Sequence, residues 1–256
     1  MNHSAHPFAL DGKVALITGA TKGIGLAAAR GLATAGARIA VCARTTEDCK
    51  QVAAELEAGG TEALALPGNV GHEDEIPGLV AAVVDRFGSL DILVNNAGAV
   101  AEYAAVTDGN RNAFDKAFSV NVRAPLAFAR EAVAVSMGDR GGSIINIVSI
   151  SAFKTEPFLG TYAAAKAAMV SATKTMAKEL GPRGIRVNAI APGVIRTDFS
   201  RLIVETPEIH ERVVAATALG RIGEPEEISG AIVWLASDAA SFTTGSVIVI
   251  DGGGTL

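Results

Sequence analysis

Tyr162 and Lys166 stand four residues apart in "GTYAAAKAAM", with only alanine between them, in a chain that has 2 tyrosines in all. On a helix, positions i and i+4 share a face, so a phenol and an ammonium group can meet in one site. A phenol beside a fixed positive charge can donate or accept a proton, the elementary requirement of acid–base catalysis. Taken alone, the pair fits a surface helix with both heads in water at least as well. The rest of the chain has to decide.

A second cluster suits phosphate. "TGATKGIG" at 18–25 places Gly19, Gly23 and Gly25 in a G-x-x-x-G-x-G spacing, with Thr21, Lys22 and Ile24 between them. A glycine-rich turn alone can serve only positive φ. Here an apolar strand precedes it, a helix pattern follows, and a second strand comes within about twenty residues. That context sets the free N–H groups of a helix start where a pyrophosphate can bind. The second strand ends in "VCARTTED", with Ala43 and Arg44 where a carboxylate for a bare ribose would stand. A guanidinium suits a 2′-phosphate, and Lys22 can add a second positive charge. The sequence therefore points to NADP(H) over NAD(H); the alternative is that both cations face solvent.

These groups need elements to hold them. "KVALIT", "RIAVCA", "EALALPG", "LDILVNN", "GSIINIVS", "IRVNAIAPG" and "SVIVIDGG" read as strands, separated by helical patterns that include one long region around 108–138. Strands alternating with helices call for parallel pairing through crossovers. Near-continuous apolar strands suit a sheet covered on both faces. The expected fold is α/β, a single-domain Rossmann-type doubly wound sheet of about seven parallel strands with ligands at their carboxyl ends. Residues 1–10 read as a loose leader and 11–256 as one domain.

The 256 residues are 49% hydrophobic, enough for a sizeable core, and carry a net charge of −5, which argues against a nucleic-acid or anionic-membrane partner. No apolar run approaches the ~20 residues that span a bilayer. Cys42 and Cys49 are too few for a disulfide framework and fit no usual metal spacing, so no metal site is expected and a reducing cytoplasm is the simplest location.

From Lys13 to Gly253 the chain resembles the classical short-chain dehydrogenases/reductases. "TGATKGIG", "NNAG" at 95–98, "SVN" ending at Asn121, Ser149, "YAAAK" at 162–166, "PG" at 192–193 and a late "DGG" occur in the family's order. Any one motif is common; the ordered set is specific. The resemblance implies a catalytic tetrad of Asn121, Ser149, Tyr162 and Lys166. Tyr162 would protonate a carbonyl oxygen during reduction, Ser149 would polarise that oxygen, Lys166 would hold the nicotinamide ribose, and Asn121 would bind a water relaying protons to Lys166. A phenol at its ordinary ~10 is poorly matched to neutral pH, and the Lys166 charge, with an oxidised nicotinamide, is expected to lower it.

The resemblance also implies cofactor contacts from Asn95, Ala97 and Gly98 on the adenine and ribose side. Pro192, Gly193, Ile195 and Thr197 would meet the nicotinamide. Where the family usually has Asp before Val, this chain has Asn69 before Val70; Asn69 can still donate to and accept from an adenine edge. A homotetramer is implied, with helices around 108–138 and 161–180 at one interface and the last strand at another. Substrate choice is expected from 99–107, 151–160 and a loop at about 194–223, through Phe153, Phe158, Leu159, Phe199, Leu202 and Ile203, with Arg196 and Arg201 as candidate anion contacts. The function this predicts is NADPH-dependent reduction of a ketone to a secondary alcohol. The alternatives are an NAD-dependent alcohol dehydrogenase and a non-catalytic dinucleotide-binding protein, the latter disfavoured because Tyr162 and Lys166 are both present.

Overall fold

A computed structural model describes residues 6–256. The strands are β1 (Val14–Thr18), β2 (Arg38–Ala43), β3 (Ala63–Pro67), β4 (Ile92–Asn95), β5 (Gly142–Ile147), β6 (Ile185–Pro192) and β7 (Val247–Ile250). All pair in parallel in the order β3-β2-β1-β4-β5-β6-β7. The order reverses between β1 and β4, so the crevice at that switch point receives ligands.

Helices cover both faces because successive strand residues point to opposite sides. Ile17, Val41 and Val94 pack with α1 (Gly23–Thr34), α2 (Thr46–Ala58) and α10 (Glu226–Ala236). Leu16, Ala40 and Leu93 pack with α3 (Ile76–Phe87) and α5 (Ala124–Ala132). β1 is buried on both faces along its whole length, which is why its sequence reads as an uninterrupted apolar run.

The helical region around 108–138 is not one helix. α4 (Arg111–Phe118) runs into a π-helical turn at Ser119–Arg123, then α5, a second π turn at Val133–Met137 and the short α6 (Gly138–Arg140). α7 (Gly160–Leu180) is continuous, and α8 (Arg201–Glu205) and α9 (Pro207–Ala215) flank the cleft. Residues 1–5 of the expected leader lie outside the described residues. Its end is docked, because Leu10 is buried and donates to the Ala35 carbonyl at 2.7 Å, while the Pro7 carbonyl accepts from Ala239 N at 3.0 Å.

Candidate active site

The carboxyl ends of all seven strands open into one cleft of about 1460 Å³, larger than the ~300–1,000 Å³ typical of a single small-ligand pocket. At its floor the chain leaves β1 through Gly19 (φ +64°) and enters α1 at Gly23 (φ +53°), both in the left-handed region. A side chain on Gly25 would drive into the Gly19 carbonyl oxygen. These glycines bring the backbone close enough for a pyrophosphate to sit on the start of α1.

Asn96 ties this turn to β4. Its Nδ2 donates to the Thr18 and Gly19 carbonyls at 2.9 and 3.1 Å, while the Thr18 hydroxyl accepts from Asn96 N and Ala97 N, each at 3.0 Å. Sequence reasoning named Asn95 instead. Asn95 Nδ2 is turned into the core, 2.9 Å from Asn146 Oδ1, and the residue does not line the cleft. The signal was available: Leu93 and Asn95 share one strand face and Val94 and Asn96 the other.

Thr21, Lys22, Ile24, Arg44, Asn69, Val70, Ala97, Gly98, Pro192, Gly193, Ile195 and Thr197 line the cleft as expected. Lys22 is not a free cation: its Nζ lies 3.0 Å from Asp198 Oδ2, in an exposed ion pair that links the glycine turn to the segment before α8. Arg44 is exposed and makes no ion pair among the described residues. Asn69 Oδ1 accepts from Gly71 N at 3.1 Å, which leaves its NH₂ to donate to a base.

Tyr162 and Lys166 do share a face of α7, and both are buried. Lys166 Nζ donates to the Ile147 carbonyl at the end of β5 at 2.8 Å and lies 5.6 Å from the Tyr162 ring centroid. Ser149, two residues past β5, lines the same cleft and accepts from Ser151 N at 3.1 Å, which orients its hydroxyl. Asn121 sits beneath, in the first π turn. Its NH₂ is committed to the Ala99 and Ala117 carbonyls, both at 2.8 Å, and its Oδ1 accepts from Ala99 N at 3.3 Å. One lone pair remains on that oxygen for a water. Gly98 lies between Asn121 and Lys166: a Cβ there would be 3.2 Å from Asn121 Oδ1 and 3.6 Å from Lys166 Nζ. π turns of this kind occur often at functional sites.

Burial dominates the electrostatics of the pair. Burial pushes the Tyr162 phenol up to about 12; the Ser149 hydroxyl offsets part of this and Tyr103 adds to it. Burial also pushes Lys166 down to about 8. Desolvation is the largest influence on both groups, and the phenol keeps its proton at neutral pH. A protonated phenol is an acid, the form that reduction of a carbonyl requires.

On the substrate side, Phe158, Leu159, Phe199, Leu202 and Ile203 line the cleft, joined by Tyr103; the Phe199 ring is 5.9 Å from that of Tyr162. Phe158 holds φ +67°, a strained value for an aromatic residue that no sequence pattern announces. Phe153 is exposed and lies outside the cleft. Neither Arg196, paired with Glu224 at 2.9 Å, nor Arg201 lines it; Lys154 and Arg212 do, and sequence reasoning named neither.

The model of a family described as enoyl-(acyl carrier protein) reductase matches residues 19–255. Dehydrogenase/reductase SDR family member 4 of Homo sapiens is 39% identical over 245 residues, 95% of this chain and 88% of that protein. The chain belongs to the classical short-chain dehydrogenases/reductases. The structure of a gluconate 5-dehydrogenase from Burkholderia cenocepacia in complex with NADP and tartrate superposes on this short-chain dehydrogenase/reductase with a TM-score of 0.94, at 33% identity over 99% of each chain. A 7α-hydroxysteroid dehydrogenase complexed with NADH and 7-oxo glycochenodeoxycholic acid gives 0.94 at 34% identity, over 99% of this chain and 98% of that one. Like its family, this short-chain dehydrogenase/reductase is an oxidoreductase acting on CH–OH or C=O groups with a nicotinamide dinucleotide. Among the described residues, no helix is long and apolar enough to cross a membrane.

Proposed function

We propose that the protein is an NADPH-dependent carbonyl reductase that converts a ketone to a secondary alcohol. The observation that carries this reading is the Tyr162 phenol, buried beside Lys166 and Ser149 in the cleft that the glycine turn opens. The site fits a nicotinamide dinucleotide: Gly19, Gly23 and Gly25 form a cradle that side chains would fill, and Arg44 stands free at its rim. When bound, the reduced cofactor supplies the hydride.

The chain's own groups do the rest. N–H groups at the start of α1 hold pyrophosphate, Arg44 the 2′-phosphate and Asn69 the adenine edge. Pro192, Gly193, Ile195 and Thr197 wall the nicotinamide, with the Ile195 backbone and Thr197 hydroxyl on its carboxamide. The Lys166 ammonium holds the ribose. Ser149 donates to the substrate oxygen and Tyr162 delivers a proton to it as negative charge develops there. The free lone pair of Asn121 binds the water that returns a proton towards Lys166. A cytoplasmic homotetramer is part of the same reading, supported by free buried Cys42 and Cys49 and by the exposed apolar side chains of Phe114 and Val135 around α4–α6 and of Val249 on β7.

One observation favours a second reading, NAD-linked alcohol oxidation. Asp198 neutralises Lys22, which removes one of the two cations expected to read a 2′-phosphate. Paired fluorescence titration with NADPH and NADH separates the two. Tighter NADPH binding, reduced about tenfold or more in Arg44→Asp, is the expected result, since a charge-assisted hydrogen bond contributes ~1.5–3 kcal/mol. Equal or tighter NADH binding, unchanged in that variant, selects oxidation.

A further inference from the structure

The substrate side of the cleft carries an unbalanced charge. Five carboxylates line the cleft; Asp48 and Asp115 stand on α2 and α4, and the other three are each engaged within the chain. Glu156 lies 3.7 Å from Lys154 Nζ, Asp198 lies 3.0 Å from Lys22 Nζ, and Asp251 accepts from the Gly253 N–H at 2.9 Å and the Thr255 hydroxyl at 2.7 Å. Arg212, like Arg44 on the cofactor side and Arg123 at the first π turn, has no such partner among the described residues. It projects from α9 into the same cleft, is exposed, and its guanidinium makes no hydrogen bond or ion pair among the described residues. Arg196 is held by Glu224 at 2.9 Å and Arg221 by Glu227 at 2.6 Å, while Arg201 lies outside the cleft.

The face of α9 that carries it is otherwise apolar. Ile209, Val213 and Ala216 line the cleft with Arg212, at the i, i+3, i+4 and i+7 spacing of one helical face. Across the space stand Phe199 and Tyr162. An apolar wall that ends in one unpaired guanidinium complements a ligand with an apolar body and an anionic end. Arginine suits that role because its planar fork meets a carboxylate, sulfonate or phosphate through two parallel hydrogen bonds.

We infer that Arg212 is a specificity-determining residue, and that the physiological substrate is a ketone whose apolar body ends in an anionic group seated on Arg212. This rests on the carbonyl-reductase reading and adds the substrate class to it. The carbonyl is presented to Tyr162 and Ser149 while the far end is anchored on α9, so the spacing between ketone and anion selects among substrates.

The test uses methyl ketones that end in a carboxylate after successively longer methylene chains, each paired with its methyl ester. The ratio of kcat/KM for acid over ester is measured with NADPH on the wild-type protein and on Arg212→Ala, Arg212→Lys and Arg201→Ala. The wild-type ratio should exceed one and pass through an optimum with chain length. It should fall about tenfold in Arg212→Ala, equivalent to ~1.4 kcal/mol, be partly kept in Arg212→Lys, and be unchanged in Arg201→Ala, which removes a cation outside the cleft. Added salt should lower the wild-type ratio, because the pair is solvent-accessible. A ratio near one at every length, or one that survives Arg212→Ala, overturns the assignment. If neither acids nor esters are reduced, the carbonyl-reductase reading fails, and calorimetric titration of the same acids decides Arg212 separately. Binding by the wild type that weakens in Arg212→Ala supports its role; equal or absent binding overturns it.

Discussion

Tyr162 and Lys166 show how burial sets chemistry at the scale of single residues. Removing a charge from water disfavours the charged form of each group, so the phenol rises to about 12 and the ammonium falls to about 8. At pH 7 both are protonated, the state needed for reduction. Tyr162→Phe removes the acid without altering the cleft's shape. Turnover should fall by about 10²–10⁴-fold, the usual contribution of a positioned acid, while NADPH titration still saturates. Retained turnover would mean that the proton comes from another group. The pH profile follows from Lys166. Its charge is present below about 8 and lost above it, so kcat/KM for reduction should be level at neutral pH and decline as pH rises through about 8. Linkage has its own sign here. The folded value lies below the ordinary 10.5, the unfolded chain binds that proton more tightly, and this group's contribution to stability grows as pH rises between about 8 and 10.5. A profile flat to pH 10 would refute the lowered Lys166.

Elements decide what those residues can reach. Asn121 is a poor helix former in an α-helix, yet within the π turn at Ser119–Arg123 its side chain satisfies the N–H and C=O of Ala99 and the C=O of Ala117. It pins the loop after β4 to the α4–α5 unit. Asn121→Leu should therefore cost stability as well as activity. Each buried backbone group left without a partner costs ~1–3 kcal/mol, and each kcal/mol lowers Tm by about 2–4 °C in a domain of this size. Calorimetry showing an unchanged Tm would confine Asn121 to a role in proton relay. The glycine turn is equally an element-scale device, because Gly25 meets the Gly19 carbonyl only after β1 and α1 have packed.

For the whole molecule, the sheet gathers residues from all seven strand ends into one cleft at the β1/β4 switch point, and Phe114, Val135 and Val249 remain exposed outside its lining. Covering such side chains against further copies of the chain is the simplest way to remove them from water. Light scattering at micromolar concentration should report a tetramer; a monomer would refute that part of the proposal.

The sequence by itself determined the family and the architecture, and it proposed a cast for the site. Periodic apolar runs specify parallel strands and covering helices, because burial on two faces leaves no other pattern open. The Tyr162/Lys166 spacing and the glycine turn are local geometries that need no partner to be read. Only the tertiary structure decided matters that depend on what comes near in space. It turned Asn95 inward and gave its place at the turn to Asn96. It neutralised Lys22 with Asp198, which lies 176 positions further along the chain. It broke the helix around Asn121 with a π turn, raised Tyr162 by burial, and left Arg212 unpaired among the described residues while Arg196 found Glu224. Charges, desolvation and hydrogen-bond partners act through space, and a linear pattern carries no record of which distant residue will come within 3 Å.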